Sequence, residues 1–277
     1  MAFNNFVPEL WAEKIQRENE KMLVLAKLCN RQWEGDLKKM GDTVHILGIG
    51  QPTIRDYDGT DIVTPETLAD TSIPLRINRA KYFNVLVDNV DKRQAGPQDV
   101  LSQILAECTE GLSAQEDSDI AADVFADVKG DQKITLASCT AENARSYLQK
   151  AKTKLYKAGV KQGSEIVAVV SPDYLERVEQ KIEQMNTDNP KIMENGFMGK
   201  TSGVSLYLSN NVHTVSGNKE IIYVMTRRAI AHASQINEVK AYSPEKRFAD
   251  AVKGLNVYGT KLVRPKELVA IEVAAYA

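Results

Sequence analysis

An α+β fold is predicted from three features of the sequence. A single long helix from Pro97 to Asp127 divides the chain, strand-like segments with no compact core of their own precede it, and an alternation of helices and strands follows it. Leu101, Ile104, Leu105, Cys108 and Leu112 recur at helical spacing and give that helix one apolar face. Gly96 and Pro97 mark its start. No basic residue occurs between Arg93 and Lys129, whereas Asp99, Glu107, Glu110, Glu116, Asp117, Asp119, Asp123 and Asp127 do. The expectation is an acidic outer face.

The segment from Pro8 to Leu28 places Trp11, Ile15, Met22, Leu25 and Leu28 on one side of a helix, but its centre from Gln16 to Lys21 is polar. Such a helix needs another surface to pack on. Thr43-Val44-His45-Ile46 opens a strand, and Ile73, Leu75 and Ile77 alternate with Ser72, Pro74, Arg76 and Asn78 as a second. Between them lies a polar excursion whose tip, Arg55 to Asp61, is rich in turn formers. An isolated two-stranded hairpin is marginal in water. A protruding one takes its missing contacts from a neighbouring subunit, so Trp11, Arg55, Asp56, Tyr57, Asp58 and Asp61 are the candidate inter-subunit contacts.

Phe83, Val85 and Val87 form a further alternating strand. After the long helix, Thr140 caps a helix carrying Ala144, Tyr147, Leu148, Ala151, Leu155 and Ala158, with Gly159 as terminator. Its basic face, Arg145, Lys150, Lys152, Lys154 and Lys157, reads as solvated, with docking on the acidic helix as the alternative. Ile166 to Val170 is a buried strand, and Ser171-Pro172-Asp173 caps a helix with Leu175, Val178, Ile182 and Met185 as its stripe. A glycine-punctuated loop, Asn195 to Gly199, leads to strands at Val204–Leu208, Ile221–Val224, Val257–Gly259 and Leu268–Val273.

The 277 residues, 43% hydrophobic, suffice for one large domain or two modest ones. A net charge of -2 gives no global attraction to nucleic acid or an anionic membrane. Cys29, Cys108 and Cys139, odd in number and widely spaced, read as reduced core-filling thiols. No stretch reaches the length of a membrane span. Chemistry was sought and each motif fails its context. Gly199-Lys200-Thr201 resembles the end of a phosphate loop, but Glu194 stands where its first glycine belongs and a strand follows. Gly48-Ile49-Gly50 lacks the third glycine of a dinucleotide fingerprint. Asp56, Asp58 and Asp61 around Gly59 have the wrong spacing for a calcium loop. His45, His213 and His232 show neither ligand-like nor triad-like spacing. No catalytic residue, cofactor or metal is assigned.

The order of parts resembles the major capsid proteins of tailed bacteriophages, those of the Hong Kong 97 type fold, over nearly the whole chain. Phe6-Val7-Pro8-Glu9-Leu10-Trp11, Asn30-Arg31 and Gly41-Asp42-Thr43-Val44 look like the arm and the start of the extended loop. Ser171-Pro172 with Leu175, then Gly199, Gly203-Val204 and Ser209-Asn210-Asn211, resemble the axial domain. Val252-Lys253-Gly254, Tyr258-Gly259-Thr260-Lys261 and Pro265 resemble the closing strands of the peripheral domain.

The resemblance implies an N-terminal arm over 1–40 and an extended β-hairpin loop over 41–80. It implies a peripheral domain over 81–165 and 236–277 with its spine helix at 97–127, and an axial domain over 166–235. The implied role is structural, without catalysis: copies assemble as pentamers and hexamers into an icosahedral head around double-stranded DNA. A separate scaffolding protein, a portal and decoration proteins are the implied partners, with no membrane. The implied location is the virion capsid, and host cytoplasm before assembly. No lysine lies between Gln51 and Arg79, so no covalent cross-link from that loop is expected. An acidic helix facing the lumen would loosen the grip on DNA. Encapsulin-like nanocompartments share the fold and form the nearest alternative, and a soluble nucleotide-binding α+β enzyme is the alternative from another class.

Overall fold

The computed structural model describes residues 23–34, 39–49, 54, 56, 70–88, 100–183, 197–242, 244 and 249–277. A short helix, α1 (Leu25–Leu28), precedes an antiparallel hairpin of β1 (Thr43–Ile49) and β2 (Asp70–Arg76). β3 (Arg79–Asp88) leads to the long helix α2 (Val100–Asp127). Then come β4 (Lys133–Leu136), α3 (Ala144–Lys157), β5 (Ile166–Val170) and α4 (Pro172–Glu183). The remainder is strand: β6 (Phe197–Thr201), β7 (Val204–Leu208), β8 (Thr214–Val215), β9 (Lys219–Thr226), β10 (Ile230–Tyr242), β11 (Ala249–Leu262) and β12 (Leu268–Val273).

The body is a mixed seven-stranded sheet ordered β4-β12-β9-β5-β7-β6, with β8 on β9. Alternation along its buried strands divides the core in two. Ile166, Ala168, Val170, Ile222, Val224, Val269 and Ile271 face α3 and α4. Val167, Val169, Tyr223, Met225, Leu268 and Ala270 face α1 and the second half of α2. Two buried tyrosines tie helices in place by donating to helix carbonyls, Tyr174 to Ala144 O at 2.8 Å and Tyr223 to Ala121 O at 2.7 Å. A second sheet, ordered β10-β11-β3, lies against the other flank of α2.

The expected division at 165/166 and 235/236 cuts across this pairing. β4 and β12, assigned in advance to the peripheral part, hydrogen-bond into the same sheet as β5, β7 and β9. α3 belongs there too, because Leu148, Ala151 and Leu155 fill the core under that sheet. Several boundaries also move. α3 begins at Ala144 rather than at Thr140, since the Asn143 side chain accepts the Thr140 N–H and donates to Ser138 O, closing a separate turn. Gly159, at φ +94°, terminates α3 as expected. Ser171 Oγ accepts the Tyr174 N–H and caps α4. Of the helix expected from Pro8 to Leu28, the described residues include only Leu25–Leu28 as helix.

The expected loop around Gly199 is β6, joined to β7 by the two-residue turn Ser202-Gly203 with φ of 53° and 75°. The basic face of α3 grips this turn: Lys152 donates to Ser202 O at 2.6 Å, and Arg145 Nε to Ser202 Oγ at 3.1 Å. Neither helix N-terminus nor phosphate cradle exists there.

Candidate assembly interface

The described part of the arm is built into its own chain. Leu23, Leu25, Ala26 and Leu28 are buried against Ile120, Ala121 and Val124 of α2. Asp117 fastens this contact: its two carboxylate oxygens accept the N–H groups of Val24 at 2.8 Å and Ala26 at 3.0 Å. Asn30 then continues as a bridge to β10, donating N–H to Ile230 O at 2.8 Å and accepting the His232 N–H at 3.0 Å. The further surface that the expected helix from Pro8 to Leu28 needs is supplied, for residues 23–30, by this chain itself.

The expected acidic outer face of α2 holds at Glu107 and Glu110, which are exposed, and is corrected for the second half of the helix. Glu116, Asp117 and Asp119 are buried. Glu116 lies 2.9 Å from His232 Nε2 and accepts Asn256 Nδ2 at 2.7 Å, which joins α2 to both β10 and β11. Burial pushes the Glu116 carboxyl up, but the hydrogen bond and charge of His232, with Asn256 and Ser234, hold it below the usual glutamate range. Burial raises the Asp117 carboxyl, and the backbone donors of the arm only partly offset this. Asp119 accepts Tyr258 Oη at 2.5 Å and pairs with Arg79 at 3.1 Å. Arg79 also forks onto Asp123 at 2.9 and 2.6 Å, and Lys261 reaches Asp127 at 2.9 Å. Glu116, Asp119, Asp123 and Asp127 thus clamp the second sheet to the helix, and Asp117 clamps the arm.

His232, Asn256, Arg79 and Tyr258 carry this junction, a role that no local sequence pattern assigns to them. The partners of Glu116 lie 116 and 140 residues away, so no local pattern links them. Cys29 and Cys139 are buried as expected, and burial pushes the Cys139 thiol up to about 11. Among the described residues no group of three or more His, Cys, Asp or Glu side chains can hold a metal. No described helix is long and apolar enough to cross a membrane.

The hairpin is anchored at its base and open beyond it. Ile46, Leu75 and Ile77 pack on Ala231, Ala233 and Val257, while Ile77 N–H donates to Asp42 O and Gly41 N–H to Ile77 O. Further out, Leu47 is 65% and Ile54 91% exposed. Of the six predicted contact residues Asp56 is exposed. Trp11, Arg55, Tyr57, Asp58 and Asp61 lie outside the described residues.

Beside the hairpin base is a cleft of about 1500 Å³. Its walls are the chain around Trp33, the hairpin residues Ile46, Leu47 and Ile73, and the turns at Arg227-Arg228 and Arg264-Pro265-Lys266. Arg31, Lys129, Arg227, Arg228, Arg264 and Lys266 line it, against two acids, Asp131 and Glu267. Glu267 is held by Arg264 at 3.0 Å, Arg228 at 3.8 Å and the Thr226 hydroxyl, while Arg31 pairs with Glu34 at 2.7 Å and Arg227 with Glu165 at 3.0 Å, so six bases stand against four acids and the cleft keeps a modest basic excess that includes the exposed Lys129 and Lys266.

No family model matches the chain, and no curated protein matches it. Solved structures do. A structure from Mycobacterium phage Che8 is 28% identical with a TM-score of 0.70, covering 98% of each chain. The capsid structure of the cyanophage P-SCSP1u gives 14% identity and a TM-score of 0.65, covering 86% of this chain and 85% of that one. This is the tailed-phage major capsid protein fold. Within that capsid fold the holo-SrpI encapsulin complex of Synechococcus elongatus PCC 7942 is also similar, at 10% identity and a TM-score of 0.60 over 89% and 88% of the chains. In this chain the base of the hairpin packs on β10 and β11, while Leu47 and Ile54 are exposed.

Proposed function

We propose that this chain is the major capsid protein of a tailed phage, and that many copies close as pentamers and hexamers into an icosahedral shell around double-stranded DNA. The reading rests on the likeness that runs over 98% of the chain, together with a hairpin that exposes Leu47 and Ile54. The role is structural. α2 serves as the spine of the peripheral unit, which includes the β10-β11-β3 sheet, and the seven-stranded sheet with α3 and α4 forms the axial unit. The hairpin is the extended loop, and it lies over an adjacent subunit through Arg55, Asp56, Tyr57, Asp58 and Asp61, with Trp11 of the arm adding a further contact.

A scaffolding protein guides closure, a portal occupies one vertex, and decoration proteins join the outside. Assembly proceeds in host cytoplasm and the product is the virion head. Electron microscopy and sedimentation of the purified full chain, alone and with its scaffolding protein, test the reading: closed particles are the expected result, and small species alone at high concentration refute it. The encapsulin alternative follows from the shared fold and predicts an enclosed cargo protein in place of DNA.

A further inference from the structure

We infer that the basic cleft beside the hairpin base is the seat of a second copy of this chain, and that the acidic row Asp173, Glu176 and Glu179 on α4 is what it receives. This rests on the shell reading and names the surfaces that would carry one of its contacts. The cleft, at about 1500 Å³, exceeds a usual small-molecule pocket and is open, which suits a protein element. Six of the chain's 35 basic side chains line it against two of its 37 acidic ones, so acid predominates over the rest of the molecule.

Apolar Trp33, Ile46, Leu47 and Val263 share the lining, with Leu47 exposed. Charge mixed with apolar surface favours a protein partner, whereas a phosphate backbone is met by basic and polar groups. Arg227 and Arg228 are half-exposed and paired with Glu165 and Glu267, whereas Lys129 and Lys266 are exposed at the rim.

The acidic row is exposed too and follows the helix period at i, i+3 and i+6, with Glu176 also paired to its neighbour Arg177 at 3.1 Å. No α4 residue lines the cleft, whose wall takes Cys29 from the core on one face of the seven-stranded sheet and Val160 from the core on the other, so the cleft and the acidic row are separate patches. A contact between two different faces is heterologous, and repeated by rotation it closes a ring, the arrangement that pentamers and hexamers require. Complementary charge sets the register and speed of such an encounter, and like charge at the same place opposes it.

The test is a charge exchange in the full chain, read by the yield of closed particles in sedimentation and by their absorbance ratio for nucleic acid. Lys129→Glu with Lys266→Glu is expected to lower the yield roughly tenfold or more while the thermal melt of the subunit is unchanged. Glu176→Lys with Glu179→Lys is expected to do the same, and the four changes together to restore particles. Wild-type yield from the cleft variant overturns the inference, as does failure of the combined variant to restore particles. Normal particles with a lowered nucleic-acid content overturn it by assigning the cleft to DNA. A wild-type chain that forms no particles overturns the shell reading itself, a result distinct from all of these.

Discussion

Glu116 and Asp117 are neighbours in the chain, yet they serve opposite sides of α2 and respond to pH with opposite sign. Glu116, depressed from its ordinary value of 4.5 despite burial, stabilises the fold in its ionised form. That contribution is complete above the unfolded pKa and is lost as pH falls through the lower folded value. Asp117 is raised from 3.8 by burial, so its contribution declines as pH rises from 3.8 through the raised value. Glu116→Gln is therefore expected to lower stability at neutral pH by about 1–3 kcal/mol and to flatten the acid limb of the stability profile below pH 4.5. Thermal melts across that range check it, and an unchanged acid limb refutes it. For Asp117, both oxygens are used by the arm. An asparagine offers one acceptor and turns its NH2 toward the second N–H, so Asp117→Asn is expected to speed hydrogen exchange at Val24 or Ala26 by roughly tenfold or more with the rest of α2 unaffected.

At the scale of elements, α2 is where sequence and structure part company. Its existence, length and acidity are all legible in Leu101 to Asp127, because helical period and the absence of basic residues are local properties. Its orientation is not. A helix flanked by two sheets has more than one buried side, and Ile120, Ala121 and Val124 face one sheet while Glu116 and Asp119 face strands of the other. Acids in such a position look solvated until Arg79, His232, Asn256 and Tyr258 arrive from distant strands. The same reason hides β10, whose Ile230–Tyr242 run includes Ser234, Gln235, Asn237, Glu238 and Lys240 and is held by pairing with β11. Two element contacts give direct tests. Arg79→Lys keeps the charge but removes the fork onto Asp123, and is expected to cost about 1 kcal/mol in denaturant unfolding. Gly259 on β11 sits so close to β2 that an added Cβ would lie 2.1 Å from Arg76 O, a backbone atom. Gly259→Ala is expected to destabilise by about 1–3 kcal/mol or more, lowering the melting temperature, because backbone cannot give way as a flexible side chain does.

For the whole molecule, the decisive property is what the body does without its projection. The described members of the core clusters on both faces of the seven-stranded sheet come from outside residues 50–69, and the described arm residues are fastened to α2 by Asp117. The body is thus expected to fold alone, while closure into a shell is expected to need the hairpin in addition to the cleft and α4 surfaces. β1 and β2 are paired from Thr43↔Arg76 out to Ile49↔Asp70, so the ladder can be closed directly past its last pair. Replacing residues 50–69 by Asn-Gly supplies a two-residue turn of the kind that suits antiparallel strands and leaves every registered pair in place. The shortened chain is expected to melt within a few degrees of the full one, since the described core clusters and every β1–β2 pair are retained, and to sediment only as small species under conditions where the full chain forms particles. Should it close into particles of the same size and yield, the hairpin is not the element that joins the subunits, and the contacts that hold the shell must be sought on the faces of the body.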